Sequence, residues 1–205
     1  DRYETREDLA GYTRGSAAAV GHMMTAIMGP DDPEAAHPHA GTLGEAFQLT
    51  NFIRDVREDI RELDRVYLPL ETLESHGTGV EEIRSVDPTP EFRAAVRAEL
   101  LRTENKYREG VAGIEYLPKD CQFAVLLAAV LYAEHHRLVR GQNFDVLTER
   151  PSLSRRRKLW TVAKTWWHWR RLKDPVSVFR RVSAVPASDG ETPGADEGAH
   201  VPHPE

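Results

Sequence analysis

Residues 47–59 read FQLTNFIRDVRED. Gln48, Asn51, Asp55 and Asp59 recur at steps of three and four, which places them within an arc of about 80° on a helix turning ~100° per residue. Ala46, Leu49, Ile53, Val56 and Ile60 fall on the other side. Carboxylates four apart are common on a solvated helix face. Two features point elsewhere. Phe47 and Phe52 flank the polar arc, where an exposed helix would carry Lys or Glu, and Asn51 sits mid-helix despite its poor propensity there. Carboxylates buried together repel one another and need cations to stay charged. Two carboxylates with an amide oxygen form a hard donor set suited to Mg²⁺ rather than Zn²⁺. Such a magnesium completes its shell with water and phosphate oxygens. From spacing alone, a solvated face and a half-site for a magnesium diphosphate both stay open.

The elements that must position this stripe are helical. No run of alternating β-branched and polar residues bounded by turns is found. A first helix is expected over residues 5–28, capped by Thr5 and stopped at Gly29-Pro30. Residues 30–41 (PDDPEAAHPHAG) read as a loop, and His37 and His39 within it as loop polarity rather than metal ligands. Thr42 is then expected to cap a helix to about Leu63, with Glu45 in the capping-box position. An extended crossing and a short helix follow. Further helices are expected over about 88–115, from Pro118 to about Arg140, and within 152–173 before Pro175. The spacing predicts an all-α bundle of antiparallel helices with short connections.

Composition narrows the function. The chain has 205 residues, 40% of them hydrophobic, enough for one domain with a core. A formal net charge of −6 argues against a dedicated nucleic-acid binder. The single cysteine, Cys121, excludes an internal disulfide and suits a reducing cytoplasm. No segment reads as a signal peptide. The longest apolar run, residues 123–133, falls short of the ~20 residues a spanning helix needs. Residues 1–185 are expected to form the domain. Residues 186–205, acidic and rich in Pro and Gly, are expected to be a disordered tail.

The segment LGEAFQLTNFIRDVREDIRELDRVYLP resembles the second aspartate-rich motif of the squalene/phytoene synthase family, matched from Gln48 through Pro69. DRYETREDLAGYTRGSAAAVG resembles the family's preceding helix, and GQNFDVLTERPSLSRRRKLW its C-terminal signature, so the likeness extends to about residue 172. The resemblance implies an isoprenoid-synthase-type helical bundle with a central cavity. It also implies magnesium-dependent head-to-head joining of two prenyl diphosphates through a cyclopropyl diphosphate. Geranylgeranyl diphosphate giving phytoene, in carotenoid biosynthesis, is the leading expectation. The alternatives are squalene or dehydrosqualene synthesis from farnesyl diphosphate, and a catalytically silent helical relative that serves in binding or assembly.

Carried over on that likeness, Asn51, Asp55 and Asp59 match the magnesium-holding positions, and Asp55 and Asp59 the catalytic carboxylates. Gln48, Arg54, Arg65 and Tyr67 match positions that meet the substrates, and Phe144 stands where many relatives have a substrate-contacting Tyr. The family's earlier Asp-x-x-x-Asp motif has no counterpart in residues 1–41, so the chain reads as the C-terminal two-thirds of a synthase. Residues 155–171, RRRKLWTVAKTWWHWRR, combine cations with tryptophans. They read either as a helix lying on anionic lipid, with the protein peripheral at the membrane, or as a closing bundle helix with snorkelling cations. Nucleic acid is not expected as a partner, since no known motif frames the patch.

Overall fold

The computed structural model describes residues 1–187. It is all-α, with no strand among the described residues. The order is α1 (Arg6–Thr13), a π-helical turn (Arg14–Ala18), α2 (Ala19–Met28), α3 (Pro33–Arg54), α4 (Val56–Leu63), α5 (Leu70–Ser75), α6 (Val80–Ser85), α7 (Pro90–Ala112), a 3₁₀ turn (Gly113–Tyr116), α8 (Lys119–Gly141), α9 (Arg155–Leu172) and α10 (Pro175–Val182). Thr5 caps α1 through a full capping box with Asp8. Gly29 ends α2 in the left-handed conformation, at φ 65°, that glycine adopts at little cost.

Three expectations fail, each for a local reason. Residues 30–41 are not a loop: Asp32 caps α3 by accepting from the Ala35 N–H at 3.0 Å, and Pro33 occupies the first helical position. Pro38 is carried inside the helix at the loss of one backbone bond. Thr42 is therefore no cap, and its hydroxyl donates to the Pro38 carbonyl at 3.0 Å. The helix also does not run straight to Leu63. It breaks at Asp55, at φ −105° and ψ 13°, while the Asp55 N–H still reaches the Asn51 carbonyl at 2.8 Å. Pro175, finally, does not close the fold but opens α10, capped by Asp174. Of the stretch expected to be disordered, only Pro186 and Ala187 fall within the described residues, and the Pro186 carbonyl accepts from Arg108 at 2.7 Å. The rest of that expectation lies outside them.

Helix α3 is the central element, packed against α2, α7 and α8. Leu43, Ala46, Tyr107, Val111, Leu126, Val130 and Phe179 form one apolar cluster around it. Ile53, Val56, Ile60, Leu73, Phe92 and Leu100 form a second toward α4 to α7. A buried polar chain fixes the register between them. The Thr50 hydroxyl meets the Tyr107 hydroxyl at 2.9 Å and His136 Nε2 at 3.0 Å, and His136 Nδ1 meets Glu104 Oε1 at 3.1 Å. Arg140 closes the chain on the same carboxylate. The other oxygen of Glu104 is buried without a hydrogen-bond partner, so the chain fixes the packing through one carboxylate oxygen.

Close helix crossings depend on missing side chains. A Cβ on Gly110 of α7 would lie 2.8 Å from the backbone of Leu43 on α3, whereas one on Gly15 would meet nothing within 4 Å. Gly110→Ala is therefore expected to destabilise the fold by about 1–3 kcal/mol, and Gly15→Ala to leave it as stable or more so. Chemical denaturation of both variants checks this; equal stability would show that α3 and α7 are not in such contact.

Candidate active site

A cavity of about 720 Å³ runs along α3, walled by α2, α8 and the 3₁₀ turn. Its apolar lining includes Val20, Met24, Met28, Leu43, Ile114 and Val125, with the small residues Ala36, Ala40, Gly44, Ala124 and Ala128 making room. Asp120 lines it from the first turn of α8, and Gln48 and Asn51 line its end toward the C-terminus of α3. There the Phe47 ring stacks on Tyr132 of α8, with centroids 4.5 Å apart. Of the four residues of the expected stripe, Gln48 and Asn51 line the chamber and Asp55 and Asp59 do not. Asp55 and Asp59 continue the same face by one and two turns, because Asp59 N–H bonds to the Asp55 carbonyl at 2.9 Å across the helix break.

The two carboxylates experience different fields. Burial works against ionisation of Asp55, and Arg54, whose Nε donates to Oδ1 at 2.7 Å, works for it. Arg150 adds a second guanidinium, with Nε donating to the same oxygen at 2.8 Å. Asp55 is held below the usual carboxylate range. Burial pushes Asp59 the other way, and the charges of Asp55 and Glu58 push it further, to about 6. One oxygen of the neighbouring Glu58 is buried without a hydrogen-bond partner. Burial and two neighbouring carboxylates thus oppose the charge on Asp59 more than Arg54 and Arg150 favour it.

The remaining expected residues divide. Arg54 sits against Asp55 as described. Arg65 and Tyr67 belong to an aromatic cluster beside the stripe: Tyr67 stacks on Phe52 with centroids 3.8 Å apart, and Arg65 Nη1 donates to the Tyr67 hydroxyl at 3.2 Å. The Arg65 guanidinium also pairs with Asp1 at 3.3 Å. Phe144 is not brought to the cavity. It follows α8 in a left-handed turn, at φ 60°, and lines a separate pocket with Arg97, Glu104 and Arg140.

Two residues that the sequence reading did not single out join the site. Tyr132 sits inside an apolar run that reads only as a buried helix; its signal is a phenol at the end of that run. Arg150 lies 95 residues from Asp55, and nothing in the spacing pairs them. His135, one turn beyond Tyr132, has its imidazole pushed below its ordinary value by burial, so it stays neutral near pH 7.

Residues 1–157 match the squalene/phytoene synthase family. A phytoene synthase of Thermus thermophilus is 40% identical over 152 residues, covering 74% of this chain and 51% of that protein. A phytoene synthase of Rhodobacter capsulatus is 33% identical over 164 residues, covering 80% and 48%. Among solved structures, a dehydrosqualene synthase in complex with ligand superposes with a TM-score of 0.76 at 28% identity, over 83% of this chain and 59% of that one. Squalene synthase HpnC from Alicyclobacillus acidocaldarius does so with 0.67 at 27% identity, over 70% and 54%. The chain spans about half the length of the curated relatives it matches.

A divalent metal fits the donor chemistry present. Among the described residues no cluster of three or more His, Cys, Asp or Glu side chains is arranged to hold a metal. Asn51, Asp55 and Asp59 supply an amide and two carboxylates, which suits an ion that keeps water and substrate phosphate in its shell.

The asymmetry has a measurable consequence. Asp59 titrates higher folded than unfolded, so the stability linked to its protonation is complete below about pH 4 and lost as pH rises through about 6. At pH 8 without metal, Asp59→Asn is expected to stabilise the protein by about 1 kcal/mol after allowance for solvent screening. The gain should vanish below about pH 4. Thermal melts across pH check this, and an Asn variant that melts lower at pH 8 would contradict it.

Proposed function

Because the chain belongs to the squalene/phytoene synthase family, we propose that it serves in the head-to-head condensation of two prenyl diphosphates, with geranylgeranyl diphosphate as substrate and phytoene as product. One observation carries the reading: Gln48 and Asn51 line one end of an apolar cavity that follows α3, and Asp55 and Asp59 continue their face beyond it. From Asn51 to Ala36 the lining spans 15 residues of helix, about 22 Å at ~1.5 Å per residue. An extended geranylgeranyl chain measures roughly 20 Å at ~1.3 Å per carbon–carbon bond, and a farnesyl chain roughly 14 Å. The phytoene synthase names of the sequence relatives favour the longer chain as well. The names of the two solved neighbours favour a second reading, squalene or dehydrosqualene synthesis from farnesyl diphosphate.

Asn51, Asp55 and Asp59 would hold magnesium, which when bound neutralises the diphosphate and helps it leave. The protein's own contributions are positioning and charge. Gln48 orients the substrate head beside the metal positions. Arg54 and Arg150, already seated at Asp55, can offer N–H groups to the departing diphosphate. Phe47 and Tyr132 line the cavity beside Gln48 and Asn51, where aromatic rings can stabilise an allylic cation, and the apolar walls keep water from it. Arg65 and Tyr67 support the stripe from the side, through Phe52. Phe144 would act on substrate only indirectly, since it lines another pocket. No helix among the described residues is long and apolar enough to cross a membrane. A cytoplasmic protein, peripheral at a lipid surface through residues 155–171, is the location this reading favours.

Incubation of the protein at its natural length with geranylgeranyl diphosphate and Mg²⁺ tests the proposal. Phytoene is expected from the parent, and at least ~100-fold less from Asp55→Ala. Met28→Trp, at the far end of the cavity, is expected to shift preference from the C20 toward the C15 substrate. Absence of C40 and C30 products from a folded protein would overturn the enzyme reading and leave a helical binding module.

A further inference from the structure

Helix α9 buries one face and leaves the other unusually apolar and cationic. Thr161, Thr165 and Trp169 are buried, and Trp169 contacts Phe123 of α8. Arg157 on the inner side pairs with buried Glu134 at 2.7 Å. The bundle-helix reading of this segment therefore holds for one side only. On the outer side Leu159 is 70% exposed, Trp160 62%, Trp166 49% and Trp167 48%. Large aromatic side chains gathered on one exposed helix face mark an interaction surface rather than ordinary solvent contact.

The cations around these rings identify what covers them. Arg155, Arg156, Arg170 and Arg171 share the outer face, and residues 155–173 contain no Asp or Glu. Arg171 lies over the Trp167 ring at 3.4 Å and Arg170 over Trp166 at 5.1 Å. The whole chain carries a formal −6, so attraction for a polyanion is local to this helix. A partner must accept indole and leucine side chains a few ångströms deep while presenting negative charge at the same level. The headgroup region of an anionic bilayer does both. Trp rings settle at its boundary, and guanidinium groups meet its phosphates. A nucleic acid would satisfy the arginines but leave Leu159 in water.

We propose that the outer face of α9 docks the protein on an anionic lipid bilayer, with Leu159, Trp160, Trp166 and Trp167 inserted at headgroup depth. The cavity-lining residues of α8 (Cys121, Ala124, Val125, Ala128, Tyr132) fall on the side of that helix opposite Phe123 and Glu134, which meet α9. Docking therefore leaves the candidate active site uncovered. It is also independent of the condensation reaction proposed above.

Sedimentation with sucrose-loaded vesicles tests this without any assay of activity. Two compositions serve: phosphatidylcholine alone, and phosphatidylcholine with phosphatidylglycerol. The protein is expected to sediment with the anionic vesicles, with a blue shift of tryptophan fluorescence, and at least ~10-fold less with the neutral ones. Combined Trp160→Ser, Trp166→Ser and Trp167→Ser should weaken anionic binding at least ~10-fold, and Arg170→Gln with Arg171→Gln should weaken it while flattening its salt dependence. All five positions are exposed, and circular dichroism confirms that the variants fold. Binding unchanged by either variant, or no binding to anionic vesicles, would overturn the proposal. So would a dimer that dissociates on the tryptophan substitutions, or an oligonucleotide bound where vesicles are not.

Discussion

Two carboxylates four residues apart on a partly buried helix face cannot both be charged cheaply, and the site is organised around that repulsion. Asp55 is given two guanidiniums, one from the adjacent Arg54 and one delivered by the loop after α8. Asp59 is given none strong enough to offset burial and its neighbours, and its carboxyl rises to about 6. A purely structural helix gains nothing from such an arrangement. It costs stability in the absence of a cation, and a magnesium diphosphate would return that cost on binding.

Everything around the stripe serves its placement. The break at Asp55 lets α3 turn without interrupting the backbone bonds that keep Asn51, Asp55 and Asp59 on one face. The chain from Thr50 through Tyr107 and His136 to Glu104 and Arg140 locks α3 against α7 and α8. Close approach at Gly110 brings α7 onto α3, and small residues along α3 and α8 leave the space between them open. Rigid helices thus frame a mostly apolar chamber with the amides of Gln48 and Asn51 at one end, and Asp55 and Asp59 lie beyond that end on the same face.

Much of this is legible in the residues. The stripe declares itself through four polar positions at helical spacing walled by Phe47 and Phe52, and both phenylalanines prove to pack beside it. What stays hidden is non-local or locally ambiguous. Pro33 and Pro38 make residues 30–41 look like a loop, yet Asp32 and Pro33 are good helix-starting residues and tertiary packing carries the helix through Pro38. Arg150 meets Asp55 across 95 residues, a pairing no local pattern encodes. Phe144 looks like a site residue only through resemblance, and its left-handed backbone directs it to another pocket. The tryptophans of α9 divide between core and surface by the phase of the helix. Their phase depends on where α8 lies.

Under the proposed function, the Asn51–Asp55–Asp59 face would hold a metal diphosphate whose hydrocarbon tail follows α3. A crystal structure of the protein with Mn²⁺ and a geranylgeranyl thiodiphosphate tests it most directly. The expected result is anomalous density between those three side chains, with the tail running past Phe47 and Gly44 toward Ala36 and Met28. Metal bound away from the stripe, or a tail lying outside the cavity, would contradict it.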